Sequence, residues 1–363
     1  MKVLLFPRFL AKSGVGNFVR VLAAELYRQG HDVVIVCGFI ELDLSTLPKS
    51  IKIYHVETCS INPLNIVENL RAIHKIIIDE NIEIVHCQHR IPAIYMSIYN
   101  FFYNRVRTIY TLHLVPVPCD FVHRLMTCVG DKAVGVSSDC SSFLIEKLKI
   151  PAKKTVTILN GVNENELSLL SDEEKNKIFE KYHIPKGKYI IVQHCRIDPV
   201  KNHLLLIKAA SIMPERIRSK YVFVCSGKTE GKYYDECISL IKKLGVESNF
   251  IFTNWIKARD ILGIADFMVL PSLIEGFGLN TLESFIMGVP VARTRGGGYS
   301  DTKNYCIPIS GTDVSELVNL IIDICENGTS KYRNMSLAAQ QWALRMCTVT
   351  AMTKQYIQVY EGH

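Results

Sequence analysis

The residues that decide the fold are 2–37, which read KVLLFPRFLAKSGVGNFVRVLAAELYRQGHDVVIVC. The apolar run Val3–Phe6 is followed by Phe18–Gln29, whose apolar residues recur at a spacing near 3.6, and then by a second apolar run, Val33–Cys37. Short, wholly apolar runs on either side of an amphipathic segment are typical of parallel strands buried on both faces of a sheet. The stretch therefore predicts a strand, a helix and a parallel strand.

The same alternation continues through the first half of the chain. It predicts a helix at Val67–Glu80 and further strands at Ile51–Val56, Ile84–His86, Thr108–Leu112 and Lys132–Val136. Strands that alternate with helices in this way build a doubly wound α/β sheet.

A second sheet is predicted after Asn160-Gly161-Val162 and a charged segment, Asp172–Lys188. Its strands are predicted at Tyr189–Gln193, Tyr221–Cys225, Asn249–Thr253, Phe267–Leu270 and Val289–Ala292, and its helices at Asn202–Ser211, Tyr233–Leu244, Ala258–Ile264 and Thr281–Met287. A chain of 363 residues is long enough for two cores. We therefore expect two Rossmann-like domains, residues 1–163 and 189–346, joined by a linker at 164–188. Ligands should bind in a central cleft, at the carboxyl ends of the two sheets.

Composition narrows the class of protein. The 12 cysteines are scattered singly, Cys59 among them, and they lack the spacing of a zinc site, so we expect reduced thiols and no metal site. The amino-terminal apolar run is too short for the core of a signal peptide, and no run reaches the roughly 20 apolar residues that span a bilayer. These features predict a cytoplasmic protein.

Charge is concentrated in the first half. Residues 1–163 carry 18 Lys and Arg against 13 Asp and Glu, and the net charge of the whole chain is +7. This excess, together with the aromatic stretch Tyr95–Arg107, favours a peripheral, salt-sensitive attachment to an anionic membrane surface, or an anionic acceptor. Two plainer interpretations stay open: a mildly basic solvated face, and a helix whose Tyr95, Tyr99 and Phe102 simply pack against the sheet.

The most informative segment for chemistry is 271–284, PSLIEGFGLNTLES. A predicted strand ends at Leu270, a glycine-containing turn follows, and a helix begins near Leu279, so the amides of its first turn form a site for an anion. Glu275 lies before these amides and Glu283 one helical turn after them. The two carboxylates can accept hydrogen bonds from sugar and ribose hydroxyls. The alternative for Glu283 is a solvated helix carboxylate.

Two further segments carry cations and glycines. Arg196 and Lys201 lie five residues apart in a loop directly after the first strand of the second domain, where both can neutralise a diphosphate leaving group. Gly14 and Gly16 lie in a loop after the first strand, which allows the backbone to approach a phosphate or a sugar. Val19 occupies the third glycine position of a dinucleotide fingerprint, so this loop is weak evidence for NAD binding.

His113 follows the strand Thr108–Leu112 and begins a proline-rich loop. A histidine at a strand end can hydrogen-bond a sugar hydroxyl, and a packed core histidine is the alternative. His86 and His89 lie at the end of the preceding strand and are similar but less specific candidates.

These motifs, in this order, resemble those of the retaining glycosyltransferase family 4 over essentially the whole chain. The resemblance rests on the Glu-x7-Glu pair Glu275 and Glu283, the block Glu275-Gly276-Phe277-Gly278, the Asn-Gly-Val hinge and the Arg196-x4-Lys201 pair. It implies a GT-B fold, a nucleotide-sugar donor and catalysis by His113, Glu275, Arg196 and Lys201. The implied donor-binding set is Gly14, Gly16, Arg196, Lys201, Ile256, Glu275, Gly276, Phe277, Gly278, Leu279, Asn280, Thr281 and Glu283.

Some expectations about the reaction also follow. Because no Asp-x-Asp occurs, we expect no metal. We also expect no cofactor, since the nucleotide sugar is a substrate, and a UDP-sugar donor in preference to a GDP-sugar. We expect a glycan or lipid-linked acceptor of bacterial surface polysaccharide, at the inner face of the membrane. A nucleotide-sugar epimerase of the same fold is the alternative. The chain departs from the family at Cys195, where members usually have Gly, and at Gly296-Gly297-Gly298, where an acidic residue usually follows soon. The family's terminal helix crosses back to the first domain, and residues 347–363 are long enough to do so.

Overall fold

The computed structural model describes residues 1–58, 63–103 and 106–362, leaving out the side chains of residues 63 and 64. The chain divides into two compact units, Met1–Val162 with Met346–His363, and Asn163–Arg345. His363 itself lies outside the described residues. The predicted linker, residues 164–188, is part of the second unit.

The first unit is built on a seven-stranded sheet in which all strand pairs are parallel. Its strands are β1 (Lys2–Phe6), β2 (Asp32–Cys37), β3 (Lys52–His55), β4 (Ile84–Cys87), β5 (Arg107–Leu112), β6 (Lys132–Gly135) and β7 (Thr155–Thr157). The order across the sheet is β3-β2-β1-β4-β5-β6-β7. Its helices include α1 (Gly14–Arg28), α2 (Pro63–Asp79), α3 (Arg90–Tyr103), α4 (Phe121–Leu125) and α5 (Ser138–Glu146). Successive strands are added towards one edge from β1 to β3 and towards the other edge from β4 to β7. The direction therefore changes between β1 and β4, as in other doubly wound folds.

The second unit contains a six-stranded parallel sheet. Its strands are β8 (Tyr189–His194), β9 (Tyr221–Ser226), β10 (Phe250–Thr253), β11 (Phe267–Leu270), β12 (Val291–Thr294) and β13 (Ile307–Ile309), in the order β10-β9-β8-β11-β12-β13. Its helices are α6 (Asp172–Lys181), α7 (His203–Ser211), α8 (Glu215–Arg218), α9 (Lys232–Leu244), α10 (Ala258–Leu262), α11 (Leu279–Ile286), α12 (Tyr299–Thr302), α13 (Ser315–Asn327) and α14 (Arg333–Met346). Two Rossmann-like folds therefore occur in tandem, as the sequence predicts.

Helix α6 explains why the predicted linker belongs to the second unit. Ser171 and Glu174 form a reciprocal capping box at its start. Glu174 also accepts hydrogen bonds from both terminal nitrogens of Arg259, at 2.9 and 3.2 Å. Glu174, in the charged segment of the predicted linker, is thus part of a helix cap and binds that helix to Arg259 of the same unit.

The last helix, α15 (Val349–Glu361), is part of the first unit. The Tyr360 hydroxyl lies 2.7 Å from His86 Nδ1, and Tyr356 approaches Thr111 at 3.3 Å. These buried polar contacts join the end of the chain to β4 and β5. His86 is therefore a structural residue, and burial lowers the pKa of its ring to about 3.

The 11 described cysteines are all free thiols, and Cys59 lies outside the described residues. Burial raises the pKa of many of them, for example that of Cys37 to about 11, so these thiols stay protonated. None of the described helices has both the length and the apolar character to cross a membrane.

Candidate active site

The turn between β11 and α11 forms the centre of the candidate site in the second unit. Gly278 has φ of +85°, a conformation that favours glycine, and it directly precedes the first residue of α11. Gly278 has no side chain to cap this helix, and the Thr281 N–H of the first turn donates to Asn280 Oδ1 at 3.0 Å. The other amides of this turn lie at the positive end of the helix dipole, where the sequence predicts an anion site.

A buried arginine that was not predicted from the sequence holds the turn between β11 and α11 in place. Arg293, in β12, is 1% exposed, and its guanidinium donates to the carbonyl oxygens of Phe277, at 2.9 Å, and of Gly297. A Cβ at Gly297 would lie 2.3 Å from the Glu275 carbonyl oxygen, so the two turns touch backbone to backbone. The sequence did contain a sign of this role, because Arg293 is a charged residue at the end of an otherwise apolar run.

Lys201 and Glu275 meet in this site. Lys201 ends a short helical turn, Pro199–Lys201, and its Nζ forms an ion pair with the Glu275 carboxylate. The two side chains are only 15% and 9% exposed. Their loops follow β8 and β11, which are neighbours in the sheet. Removal of either partner would leave an uncompensated, largely desolvated charge, which is costly.

Arg196 lies in the same loop but is exposed. Its Nη2 lies 3.1 Å from Asp198 Oδ2, and its side chain is 58% exposed. Asp198 also accepts a hydrogen bond from the Lys201 backbone N–H, at 3.1 Å. Asp198 thus organises the loop that carries both predicted cations, and it holds Arg196 in an exposed ion pair.

Two amide side chains position this loop. Asn202 has φ of +58° and donates from Nδ2 to the carbonyl oxygens of Pro271, at 3.2 Å, and Gly311, at 2.8 Å. Gln193 donates to the Lys201 carbonyl oxygen at 2.8 Å. The loop after β8 is therefore attached to the chain that follows β11 and β13.

Glu283 lies in the second turn of α11. Burial raises the pKa of its carboxyl to about 7, and the charge of Glu166 acts in the same direction. The alternative of an ordinary solvated carboxylate does not fit this environment. Near neutral pH the group is divided between its protonated and ionised forms, so it can both donate to and accept from a hydroxyl.

Several predicted donor-binding side chains are used within the protein. Phe277 and Thr281 are buried in the unit, and Leu279 is partly buried. The Asn280 side chain donates to the His194 carbonyl oxygen at 2.9 Å, and the buried Ile256 donates its N–H to Ser226 Oγ at 3.1 Å. At Phe277 the side chain belongs to the core, so only the backbone is left for a ligand.

In the first unit, the predicted glycines lie in the first turn of α1 instead of in a loop before it. Ser13 caps this helix by accepting from the Gly16 N–H at 3.2 Å. A Cβ at Gly16 would lie 2.1 Å from the Ala11 carbonyl oxygen. Gly16 therefore serves the close approach of its own chain, whereas Gly14 is exposed at the start of the helix.

His113 lies at the carboxyl end of β5, partly buried. Its Nε2 is 2.7 Å from Gln88 Oε1, and its ring packs edge to face on Phe18 at 4.7 Å. Burial, with smaller contributions from His89 and His86, lowers its pKa well below the usual value, so the ring is neutral. Because Gln88 Oε1 is an acceptor, Nε2 carries the proton, and Nδ1 is an acceptor for a ligand hydroxyl.

Both halves of the chain match models of glycosyltransferase families. Residues 12–166 match the model "Glycosyltransferase Family 4", and residues 174–342 match "Glycosyl transferases group 1". The serotype-specific mannosyltransferase WbdA of Escherichia coli is 28% identical over 165 residues, which are 44% of this chain and 20% of that protein. The chain thus matches only about a fifth of the length of this relative.

Solved structures show the same fold. A glycosyltransferase from Rickettsia africae superposes with a TM-score of 0.86 at 23% identity, covering 99% of this chain and 98% of that one. HepE from Anabaena, in complex with UDP-glucose, superposes with a TM-score of 0.85 at 18% identity over the full length of both chains. Both structures support the predicted GT-B fold.

Replacement of Glu283 should change how stability depends on pH. The folded protein holds a proton on Glu283 up to a pKa of about 7, whereas the unfolded chain releases it near 4.5. The free energy of unfolding of the wild type should therefore fall relative to Glu283→Gln as pH rises between these values, by at most about 1.4 kcal/mol per pH unit, and then level off. Urea denaturation from pH 4 to 9 measures this difference. A difference that is constant over this range would contradict the raised pKa.

Proposed function

Because the chain belongs to glycosyltransferase family 4, we propose that it is a retaining, metal-independent enzyme that transfers a sugar from a nucleotide-sugar donor. The observation that carries the proposal is the Lys201–Glu275 ion pair beside the glycine-containing turn that starts α11. It combines a cation for a diphosphate with a carboxylate for sugar hydroxyls. Arg196, in the same loop, adds a second cation.

The ion pair also suggests how the donor is received. Without ligand, Lys201 and Glu275 neutralise one another in a poorly solvated place. A bound diphosphate offers Lys201 another anion, and Glu275 becomes available to accept hydrogen bonds from the transferred sugar. The site therefore exchanges one set of charge contacts for another and needs little rearrangement of the fixed backbone.

The chemical step follows from this arrangement. The bond between the anomeric carbon and the diphosphate oxygen breaks, and its electron pair goes to the diphosphate. Arg196, Lys201 and the α11 amides stabilise that charge. The acceptor oxygen then bonds to the anomeric carbon on the same face, and its proton passes to a leaving phosphate oxygen. For the first unit we propose that His113, neutral and with Nδ1 as acceptor, binds a hydroxyl of a sugar substrate.

For the donor and the acceptor we propose a chemical class each. HepE, solved with UDP-glucose, supports a UDP-sugar donor, and WbdA, a serotype-specific mannosyltransferase, supports an acceptor from bacterial surface polysaccharide. The acceptor is a glycan or a lipid-linked oligosaccharide, and the enzyme works in the cytoplasm at the inner face of the membrane. These relatives favour transfer over the epimerase alternative.

The proposal also includes a reaction without a metal. Among the described residues, no group of three or more His, Cys, Asp or Glu side chains is placed to hold a metal ion. The positive charge that a metal would supply to the diphosphate is available from Arg196 and Lys201 instead.

Arg196→Ala and Lys201→Ala should each lower kcat/KM by about tenfold to a thousandfold, because each removes a cation from the leaving diphosphate. Arg196→Ala should leave the melting temperature nearly unchanged, since its ion pair is exposed. Lys201→Ala should also destabilise the second unit, because Glu275 loses its partner. Arg216→Ala, which removes an exposed arginine of the same unit, is the matched control. Turnover like the wild type in Arg196→Ala at saturating acceptor would contradict the donor-site assignment.

Chelation should leave the reaction unaffected. With excess EDTA, initial rates of sugar release from the donor should equal those in buffer alone, because no metal takes part. Loss of turnover that is restored by magnesium or manganese would show that the diphosphate is held differently.

A further inference from the structure

Three rings lie in a row at the carboxyl edge of the first sheet. Phe39, Phe9 and His89 follow β2, β1 and β4, which are neighbours in that sheet. The Phe9 and Phe39 rings are stacked, with their centroids 5.0 Å apart and their planes at 13°, and the His89 ring lies 5.3 Å from the Phe9 ring. Phe39 is 41% exposed, whereas Phe9 and His89 are partly buried. We refer to Phe9, Phe39 and His89 as the aromatic row.

The backbone holds the two phenylalanines opposite one another. The parallel register of β1 and β2 continues beyond the two strands, where Leu10 pairs with Ile40. The Leu10 N–H donates to the Phe39 carbonyl oxygen at 2.9 Å. Phe9, the residue before Leu10, therefore lies opposite Phe39. Because the pairing fixes both residues before a ligand binds, little conformational entropy is lost on binding.

His89 adds a hydrogen-bond donor beside the two phenylalanine rings. Its Nδ1 accepts from the Arg8 backbone N–H at 3.1 Å, so the ring proton is on Nε2. Burial, with a smaller contribution from the charge of Arg8, lowers the pKa of His89 to about 4, so the ring is neutral near pH 7. His89 Nε2 can thus donate to a hydroxyl oxygen, and the uncharged ring does not select for an anion.

The aromatic row lies beside the candidate sugar-binding histidine, His113. Gln88, the residue before His89, accepts a hydrogen bond from His113 Nε2 at 2.7 Å. His113 follows β5, which is the neighbour of β4 in the sheet. A ligand on the aromatic row would therefore be next to the place where His113 offers its Nδ1 to a hydroxyl.

A sugar ring has the chemistry that fits this arrangement. The C–H bonds on one face of a pyranose carry partial positive charge, and the face of an aromatic ring is negative, so the two faces attract each other. The hydroxyl oxygens at the rim of the sugar can accept from a neutral donor such as His89 Nε2. An acyl chain would stack less specifically and has no acceptor for that proton.

We propose that the aromatic row binds a sugar ring of a glycan acceptor. The sugar stacks on Phe39, which Phe9 supports from below, and one of its hydroxyls accepts a hydrogen bond from His89 Nε2. The inference rests on the proposed function and deepens it, because it assigns the acceptor to named side chains of the first unit. It also makes a sugar of the acceptor, and not a lipid, the part that these side chains recognise.

An exposed phenylalanine at the other edge of the sheet provides the matched control. Phe101 is 84% exposed, and its ring packs edge to face on Phe102, which is 71% exposed. Tyr95 and Tyr99 of the same helix are buried, and residues 104–105 lie outside the described part of the chain. Since α3 leads from the carboxyl end of β4 to the amino end of β5, Phe101 lies away from the aromatic row.

The test is a titration of the full chain with methyl α-D-mannopyranoside and methyl β-D-glucopyranoside, followed by saturation-transfer difference NMR. The wild type should bind at least one of these glycosides. F39W keeps an aromatic face and should bind as well as the wild type, whereas F39L keeps an apolar side chain without a ring and should bind about five- to tenfold more weakly. H89F keeps a ring without a donor and should also bind more weakly. F101L should bind as the wild type does.

Three results would overturn the proposal. These are wild-type protein that binds neither glycoside, unchanged binding by F39L or by H89F, and equal losses of binding in F39L and F101L. Melting temperatures show whether each variant is folded, and F39L should stay close to the wild type because its side chain is 41% exposed. Failure of the proposed function is distinguished separately, because glycoside binding is measured without a donor. That failure would appear as the absence of a melting shift with any nucleotide sugar in the wild type.

Discussion

The ion pair between Lys201 and Glu275 is the interaction on which the candidate site depends. It joins two loops that follow adjacent strands, β8 and β11, and it places two residues 74 positions apart in contact. Each charge is tolerated in its largely buried position because the other is present. The same pair supplies the two kinds of group, a cation and a carboxylate, that a sugar diphosphate requires.

Around this pair the backbone is fixed by side chains that have no direct role in the proposed chemistry. The Arg293 guanidinium bridges the turns at Phe277 and Gly297, and Asn202 connects the cation loop to the chain after β11. Preorganised donors of this kind stabilise charge without reorganisation during the reaction. Arg196 is the exception, since its ion pair with Asp198 is exposed.

Local sequence predicted most of the fold because parallel strands buried on both faces leave unbroken apolar runs. β1, β2 and β11 were located to within one residue. β12 was placed too early, at Val289–Ala292, because Arg293 interrupts the apolar run. It extends through Val291–Thr294, since the arginine finds carbonyl oxygens in distant turns. The strand β7, with only Thr155-Val156-Thr157, has too weak a pattern to be recognised alone. In the site, the motifs that contain Arg196, Lys201 and Glu275 were enough to predict these residues as candidates from the sequence. The Lys201–Glu275 contact could not be predicted in the same way, because it depends on β8 and β11 being neighbours in the sheet.

The central claim is that the second unit binds a nucleotide sugar through Arg196, Lys201 and the start of α11. Thermal melting with a panel of UDP- and GDP-sugars tests it most directly, with wild type and Arg196→Ala in parallel. A ligand at a concentration of about 100 times its dissociation constant stabilises the folded state by about 2.7 kcal/mol. Stabilisation of this size gives a readily measured shift in melting temperature. The account predicts such a shift for a UDP-sugar with the wild type and a much smaller one with Arg196→Ala. No shift with any nucleotide sugar, or equal shifts in the two proteins, would contradict it.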